Sequence, residues 1–236
     1  MRYPHRASLG LSLLAIAALV LALAGCGGSS SSGNGVASKS PEQIVAATKA
    51  AAKSAVSVHI VGSIVNERKP ISLDMELLAG KGGKGRISTE GFSIDLIQSG
   101  SAVYINGSAA FYRHVGGAAA AQLLQGRWLK APAKSGELAS FASLTDLSKL
   151  IDTALARHGA LTKGSTATIE GQPAVAVKDS SRGGTLFVAT SGKPYPLEIT
   201  KSGAESGKVV LDRWDKPVTL SAPSGAIDIS KLQAAG

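Results

Sequence analysis

The feature that most constrains the fold is an alternation of apolar and polar residues with a period of two. Ile71–Leu77 shows it most clearly, because Ile, Leu, Met and Leu occupy every second position with Ser, Asp and Glu between them. Such alternation is typical of a β-strand with one face in the core and the other in water. We predict further strands in segments that include GRIST, FSIDLI, SAVYIN, AAFYRHV, PAVAVKDS, GTLFVAT, KVVLDRW and PVTLSAP.

Turn signals separate these segments and join them as an antiparallel meander. Glycines are concentrated in Gly80–Gly85, which we interpret as a hairpin tip. Asn106-Gly107 is a strong signal for a two-residue hairpin turn. The second half of the chain repeats the arrangement of short strands and turns after a helical middle.

Three helices are predicted from caps and from apolar residues at helical spacing. Ser40–Gln43 has the composition of a capping box with proline at the first helical position, and this helix should end near Val56. Ala118–Gln125 forms a short second helix. The clearest amphipathic helix covers Leu144–His158, and Gly159 follows it as a C-cap.

These elements predict an α+β domain, a large antiparallel sheet with helices on one face. About ten strands at a spacing of about 4.8 Å make a sheet about 45–50 Å wide. Three helices, each about 10 Å across, cover about 30 Å of it. Because nearly every strand has an apolar face, the sheet must curl, dimerise or enclose something. A half-open barrel with helices across its mouth would leave an apolar hollow.

The N-terminus has the pattern of an export signal. A short basic head precedes the apolar run Leu9–Ala24, which is shorter than a membrane span. Leu23–Cys26 resembles the bacterial lipobox, which implies cleavage after residue 25 and diacylglycerol on Cys26. Residues 26–39 are rich in Gly and Ser and are expected to be a flexible tether about 20 Å long. A retained membrane helix is the alternative interpretation.

Charge and cysteine content narrow the choice of partners. Residues 1–25 carry two Arg and no acid, so the net charge of the remainder falls from +9 to +7. The basic residues are dispersed, which argues against a nucleic-acid partner. The basic residues could favour contact with an anionic lipid surface, or they could serve only to keep the protein soluble. Residues 40–236 contain no cysteine and are long enough for a single domain with its own hydrophobic core.

No motif in the chain predicts catalysis, a metal site or a cofactor. Gly80–Gly85 matches G-x-G-x-x-G, but strands are predicted after it where a dinucleotide site needs a helix. His59, His114 and His158 lie in different elements without ligand spacing. Scattered acids form no evident catalytic pair. We therefore expect a protein that is not an enzyme and carries no cofactor.

The whole pattern resembles a known family. The pattern consists of the lipobox, the tether, the capped helix, a first meander, a helical middle with GRWLKAP, and a second meander with ATIEGQPAVAVKD, GGTLFVATSGKPYPLEI and PVTLSAP. It resembles the actinobacterial LppX/LprG lipoproteins. Their fold is similar to that of the carriers LolA and LolB. The resemblance implies a half-open barrel covered on its concave side by helices, with a cavity for the acyl chains of lipids or glycolipids. The residues it places in that cavity are Ile60, Ile64, Leu73, Met75, Leu77, Ile94, Leu96, Val103, Ile105, Leu147 and Ile151.

Two functions follow from this resemblance. The first is a lipoprotein anchored on the extracytoplasmic side of the cell membrane through Cys26, which binds and carries lipid or glycolipid. The alternative for each of the cavity residues is that it simply packs in the hydrophobic core. The second is an envelope sensor or regulatory module of the same fold that binds a protein partner. A filled core and a contiguous exposed patch would favour the second.

Overall fold

A single sheet of twelve strands forms the framework in a computed structural model that describes residues 33–134, 139–156 and 159–233. The predicted signal peptide, Cys26 and His158 lie outside the described residues. The strands are β1 Ser57–Asn66, β2 Lys69–Leu78, β3 Gly82–Thr89, β4 Phe92–Ser99, β5 Ala102–Gly107, β6 Leu129–Pro132, β7 Leu161–Ile169, β8 Gln172–Asp179, β9 Gly184–Ala189, β10 Pro196–Lys201, β11 Gly207–Asp212 and β12 Ile227–Asp228.

One helix of the described residues precedes the first strand, three lie between strands at two points of the chain, and one follows the last strand. A short 3-10 turn at Val36–Ser38 comes before the first of them. The helices are α1 Pro41–Lys53, α2 Ala109–Leu124, α3 Ala139–Ser143, α4 Leu147–Ala156 and α5 Ile229–Gln233.

The strand order shows two meanders joined edge to edge. The order is β12-β6-β5-β4-β3-β2-β1-β11-β10-β9-β8-β7. All pairs are antiparallel except β12 with β6. The sheet curls without closing, and helices cover its concave side. The predicted α+β fold with a half-open barrel is therefore confirmed.

Two glycines lie where the backbones of neighbouring strands leave no room for a Cβ atom. A Cβ atom on Gly62 would lie 2.2 Å from the carbonyl oxygen of Lys208 on β11. A Cβ atom on Gly85 would lie 2.1 Å from the carbonyl oxygen of Asp74 on β2. No side chain fits at such distances, so glycine permits the close backbone approach that accompanies the curl.

Helix α1 begins as its sequence predicts. The Ser40 side chain accepts a hydrogen bond from the Gln43 backbone N–H, and the Gln43 side chain accepts one from the Ser40 N–H at 3.1 Å. Pro41 occupies the first helical position, where no donor is needed. The capping box is confirmed, and the helix ends at Lys53, three residues before the predicted end.

The prediction of a strand at AAFYRHV is wrong, because this segment forms the first half of α2. Asn106-Gly107 is not a hairpin turn either, because both residues belong to β5 and Gly107 pairs with Ile94. Ser108 decides the outcome. Its hydroxyl accepts a hydrogen bond from the Phe111 N–H at 3.3 Å and caps the helix.

The prediction of a strand at PVTLSAP is also wrong, because residues 217–223 form no strand. The preceding strand, β11, lies in the middle of the sheet between β1 and β10. The chain that leaves it meets no free sheet edge nearby. It runs instead to the far side, where Ile227–Asp228 pairs with β6.

The last part of the expected tether lies on the folded domain. Asn34 donates hydrogen bonds to the carbonyl oxygens of Ala189 and Gly192 at 2.9 and 3.1 Å. Val36 is 1% exposed and packs in a cluster with Ile44. One apolar side chain is enough to hold this polar segment down, so the compact unit begins at Gly33.

Candidate ligand-binding site

An aliphatic layer lies between the first meander and the helices. It forms because alternate residues of β1 to β6 point to the same side as the apolar faces of α2 and α4. Nine of the eleven residues predicted to line a cavity are buried together in this layer. They are Ile60, Met75, Leu77, Ile94, Leu96, Val103, Ile105, Leu147 and Ile151.

The other two predicted residues lie at its margin or outside it. Leu73 is partly buried and packs against the cluster. Ile64 is 38% exposed, close to the end of β1. The strand alternation therefore places the set on one face, but the outer end of that face reaches solvent.

Helix α2 contributes two aromatic residues that the sequence did not assign to this layer. Phe111 and Tyr112 are buried in the same cluster. The Tyr112 hydroxyl accepts a hydrogen bond from the Gly107 N–H at 3.0 Å and donates one to the Arg127 carbonyl at 3.4 Å. Burial raises the pKa of Tyr112, so the hydroxyl remains neutral. A helix prediction for AAFYRHV would have found both residues.

A small apolar space remains beneath the edge of α4. It has a volume of about 90 Å³ and lies between α1, α4 and the strands of the second meander. Leu155 and Val45 face it from the helices, and Val177, Leu186 and Ile199 are on the strand side. The space holds about three water molecules. It is too small for an acyl chain unless a helix moves.

Helix α4 is held over the sheet by few polar contacts. The Asp152 carboxylate pairs with Lys49 and Lys53 of α1, at 2.8 and 2.9 Å. These hydrogen bonds hold the pKa of Asp152 below its usual value. Thr145, just before the helix, donates a hydrogen bond to the Gln98 side chain of β4. Exposed ion pairs contribute little stability, so burial of Leu147 and Ile151 is the main force on α4.

A second concavity lies on the opposite face of the sheet. This groove has a volume of about 1080 Å³. Val61, Val210 and Ile97 contribute apolar area, and Trp128 stands at one side. A row of small hydroxyl side chains crosses it, because Ser72 is the register partner of both Ser63 and Ser88.

The charges around this groove are paired with one another. Arg86 binds Asp95 through two hydrogen bonds, at 2.7 and 3.0 Å. Glu76 pairs with both Lys84 and Arg213, at 3.2 and 3.1 Å. The groove therefore offers an apolar floor and a rim of alternating charge. Of the predicted cavity residues, Leu73 and Leu96 border it.

A histidine between two carboxylates adjoins the groove. His59 Nδ1 lies 2.6 Å from Asp212 and Nε2 lies 2.9 Å from Asp74. The sequence showed no partner for this histidine, because the three residues come from three strands and only the register brings them together. Neither this cluster nor any other group of three His, Cys, Asp or Glu side chains among the described residues has an arrangement that could hold a metal ion.

No helix in the part of the chain that the structure describes is long and apolar enough to cross a bilayer.

Comparison with solved structures identifies this architecture. LprF from Mycobacterium bovis superposes with a TM-score of 0.56 and 16% identity over 78% of this chain and 97% of LprF. The Mycobacterium tuberculosis lipoprotein LppX has a TM-score of 0.49 and 16% identity, over 76% of this chain and 99% of LppX. The fold is that of the LppX/LprG lipoproteins. MucB gives a TM-score of 0.39 and 10% identity over 78% of this chain and 63% of MucB.

The LppX/LprG-type fold is shared without detectable sequence kinship to characterised proteins. No protein-family model matches the chain, and no curated protein sequence matches it significantly. At 16% identity the likeness to LprF shows the fold. The resemblance predicted from the sequence is confirmed at this level.

Proposed function

We propose that this protein is an envelope lipoprotein that binds acyl chains of lipid or glycolipid between its curled sheet and α4. The observation that carries the proposal is the continuous aliphatic layer under α4, next to the space of about 90 Å³. The LppX/LprG-type fold supports it. Neither nucleic acid nor a cofactor has a role in it.

Binding in this place requires α4 to move outward. Leu147 and Ile151 would then leave the core, and exposing each of these side chains to water costs about 1.5–3 kcal/mol of free energy. An acyl chain contributes about 0.8 kcal/mol for each buried CH₂, so about twelve methylenes gain about 10 kcal/mol. The gain exceeds the loss, and α4 acts as a lid that the ligand replaces.

The N-terminal segment places this activity at the membrane in our proposal. Residues 1–25 serve as the signal peptide and Cys26 carries diacylglycerol. The tether then runs from Cys26 to Gly33, where the compact unit begins. The extracytoplasmic side of the cell membrane is the resulting location.

Native mass spectrometry tests the proposal directly. Residues 33–236 contain both large hydrophobic clusters, so we expect them to fold without the anchor. This domain is exported, purified without detergent, and weighed intact and denatured. A discrete excess mass that extracts as lipid, or stoichiometric binding of an added fluorescent fatty acid, supports the proposal. A bare domain that also refuses the probe contradicts it.

A protein partner is the second candidate function, and the groove on the open sheet face favours it. Its volume of about 1080 Å³, its apolar floor and its paired charges suit a peptide segment better than an acyl chain. Crosslinking of the anchored protein in its own envelope separates the candidates. A single crosslinked protein, lost when Val61→Glu is introduced into the groove, supports a regulatory module.

A further inference from the structure

Helix α2 carries the two most exposed large hydrophobic residues of the described part of the chain. Its buried residues are Phe111, Tyr112 and Ala121, whereas residues 113–119 are exposed. Val115 is 60% and Leu123 is 64% exposed, the highest values among the large hydrophobic residues described. Most of the apolar surface of these two side chains stays outside the fold and is available to a partner.

The helix is interrupted at the centre of this surface. Gly117 has φ 77° and ψ −172°, which breaks α2 into two short parts. Gly116 and Gly117 are followed by four alanines, so the residues at the break itself have small side chains or none. The exposed stretch therefore has a large apolar side chain before the break, Val115, and another after it, Leu123.

The segment of sequence that contains α2 carries charges of one sign. From residue 96 to residue 136 the sequence contains no Asp or Glu, but it contains Arg113, Arg127, Lys130 and Lys134. Lys130 pairs with Asp228 across to β12 at 3.4 Å. Among the described residues, no carboxylate pairs with Arg113, Arg127 or Lys134.

We propose that α2 is a membrane-docking surface that binds an anionic lipid bilayer. Val115 and Leu123 enter the interface between headgroups and acyl chains, and Arg113 and Arg127 contact anionic headgroups. Exposed apolar side chains beside unpaired basic ones are the combination that binds proteins to such surfaces. The proposal does not depend on lipid binding under α4 or on acylation of Cys26.

A second copy of the chain is a poorer occupant of the same surface. A two-fold dimer places identical patches against each other. Arg113 and Arg127 of both copies would then share one interface to which residues 96–136 contribute no acid, and like charges in an interface cost several kcal/mol. The charge pattern therefore favours an anionic bilayer.

Vesicle sedimentation of residues 33–236 tests the proposal. Vesicles contain phosphatidylcholine alone or with about 30 mol% phosphatidylglycerol. We expect binding to the anionic vesicles only, and weaker binding at high salt. Arg113→Gln and Arg127→Gln should each lower the affinity about five-fold. Arg182→Gln, in an exposed turn far along the chain, is the matched control and should have no effect.

The apolar part of the surface has its own matched control. Val115→Ser with Leu123→Ser should reduce binding at least ten-fold. Val56→Ser removes a similarly exposed apolar side chain (57% exposed) from the segment between α1 and β1, and it should not change vesicle binding. Equal binding to both kinds of vesicle, or unchanged binding by the double variant, overturns the proposal. A concentration-dependent dimer that the double variant abolishes, with no vesicle binding, overturns it as well.

A fluorescent label gives a readout that does not rely on loss of binding. Residues 33–236 contain no cysteine, so Val115→Cys and Val56→Cys can each carry one environment-sensitive dye. A blue shift on anionic vesicles for the label at position 115, and none at position 56, supports docking through α2. Equal shifts at the two positions contradict it.

Discussion

The phenol ring of Tyr195 lies parallel to the indole ring of Trp214, with centroids 4.4 Å apart and 7° between the planes. Tyr195 also donates a hydrogen bond to Asp215 at 2.6 Å. Lys193 lies 3.0 Å from the same carboxylate, and the backbone N–H of Val56 donates to it at 2.9 Å. The cluster joins the loop before β10, the chain after β11 and the start of β1.

Asp215 should make the stability of the protein depend on pH in the acid range. Its hydrogen bonds from Tyr195, Val56 and Lys193 lower its pKa from 3.8 to about 2. Because the pKa is lower in the folded state, the carboxylate stabilises the fold fully above about pH 4, and this contribution disappears as the pH falls through 2. Asp215→Asn should reduce the free energy of unfolding by about 1 kcal/mol at pH 7, since the side chain is partly exposed.

Urea unfolding at several pH values measures this contribution. The difference between wild type and Asp215→Asn should shrink steadily from pH 5 to pH 2. Two controls remove an exposed carboxylate elsewhere. Glu90→Gln lies in the turn between β3 and β4 and should leave the pH dependence unchanged. Glu205→Gln removes a local pair with Lys201, which lowers the pKa of Glu205, and should give a smaller loss of the same sign. A difference that stays constant over this range would show that Asp215 does not titrate as described.

The aliphatic layer predicts a strong contrast between two of its proposed residues. Leu96 is fully buried, so Leu96→Ala should lower the free energy of unfolding by about 2–5 kcal/mol. Ile64→Ala should cost less than about 1 kcal/mol, because Ile64 is already partly in water. Chemical denaturation of both variants checks the order, and equal losses would contradict the placement of Ile64.

Weakening the polar contacts of α4 should speed lipid uptake. Asp152→Asn removes the carboxylate that pairs with Lys49 and Lys53, so α4 separates from α1 more easily. We expect stopped-flow uptake of a fluorescent fatty acid to be about two- to five-fold faster, with a small change in stability. Glu205→Gln again serves as the control. Unchanged uptake would place the opening elsewhere.

Glycine at the points of close strand approach should be irreplaceable. In Gly62→Ala the new methyl group would meet the Lys208 carbonyl oxygen, and the sheet must shift to accept it. We expect a loss of about 1–3 kcal/mol in the free energy of unfolding. Gly184→Ala is the matched control, since its nearest neighbour would be 3.8 Å away. Thermal melts of the two variants should differ clearly.

Much of the fold could be predicted because its signals are local. The capping box at Ser40 and the alternation in Ile71–Leu77 depend on neighbours a few residues away, and both are seen in the structure. The strand prediction for AAFYRHV failed because the segment's conformation is decided by two other features. Ser108 caps a helix there, and Phe111 and Tyr112 are buried when that helix packs on the sheet. The groove and the contacts of His59 could not be predicted, because they depend on the register between strands, which no local pattern of the sequence specifies.

The sequence by itself determined the class of fold and the inward faces of the strands, because side-chain period and turn chemistry are properties of short segments. The segment that resembles a lipobox and the acid-free stretch are likewise features of the sequence alone. Only the tertiary structure decided that most of the inward residues are buried together with the apolar faces of α2 and α4, and that Val115 and Leu123 remain largely in water. Burial depends on which surfaces meet, and strands far apart in the chain decide that together.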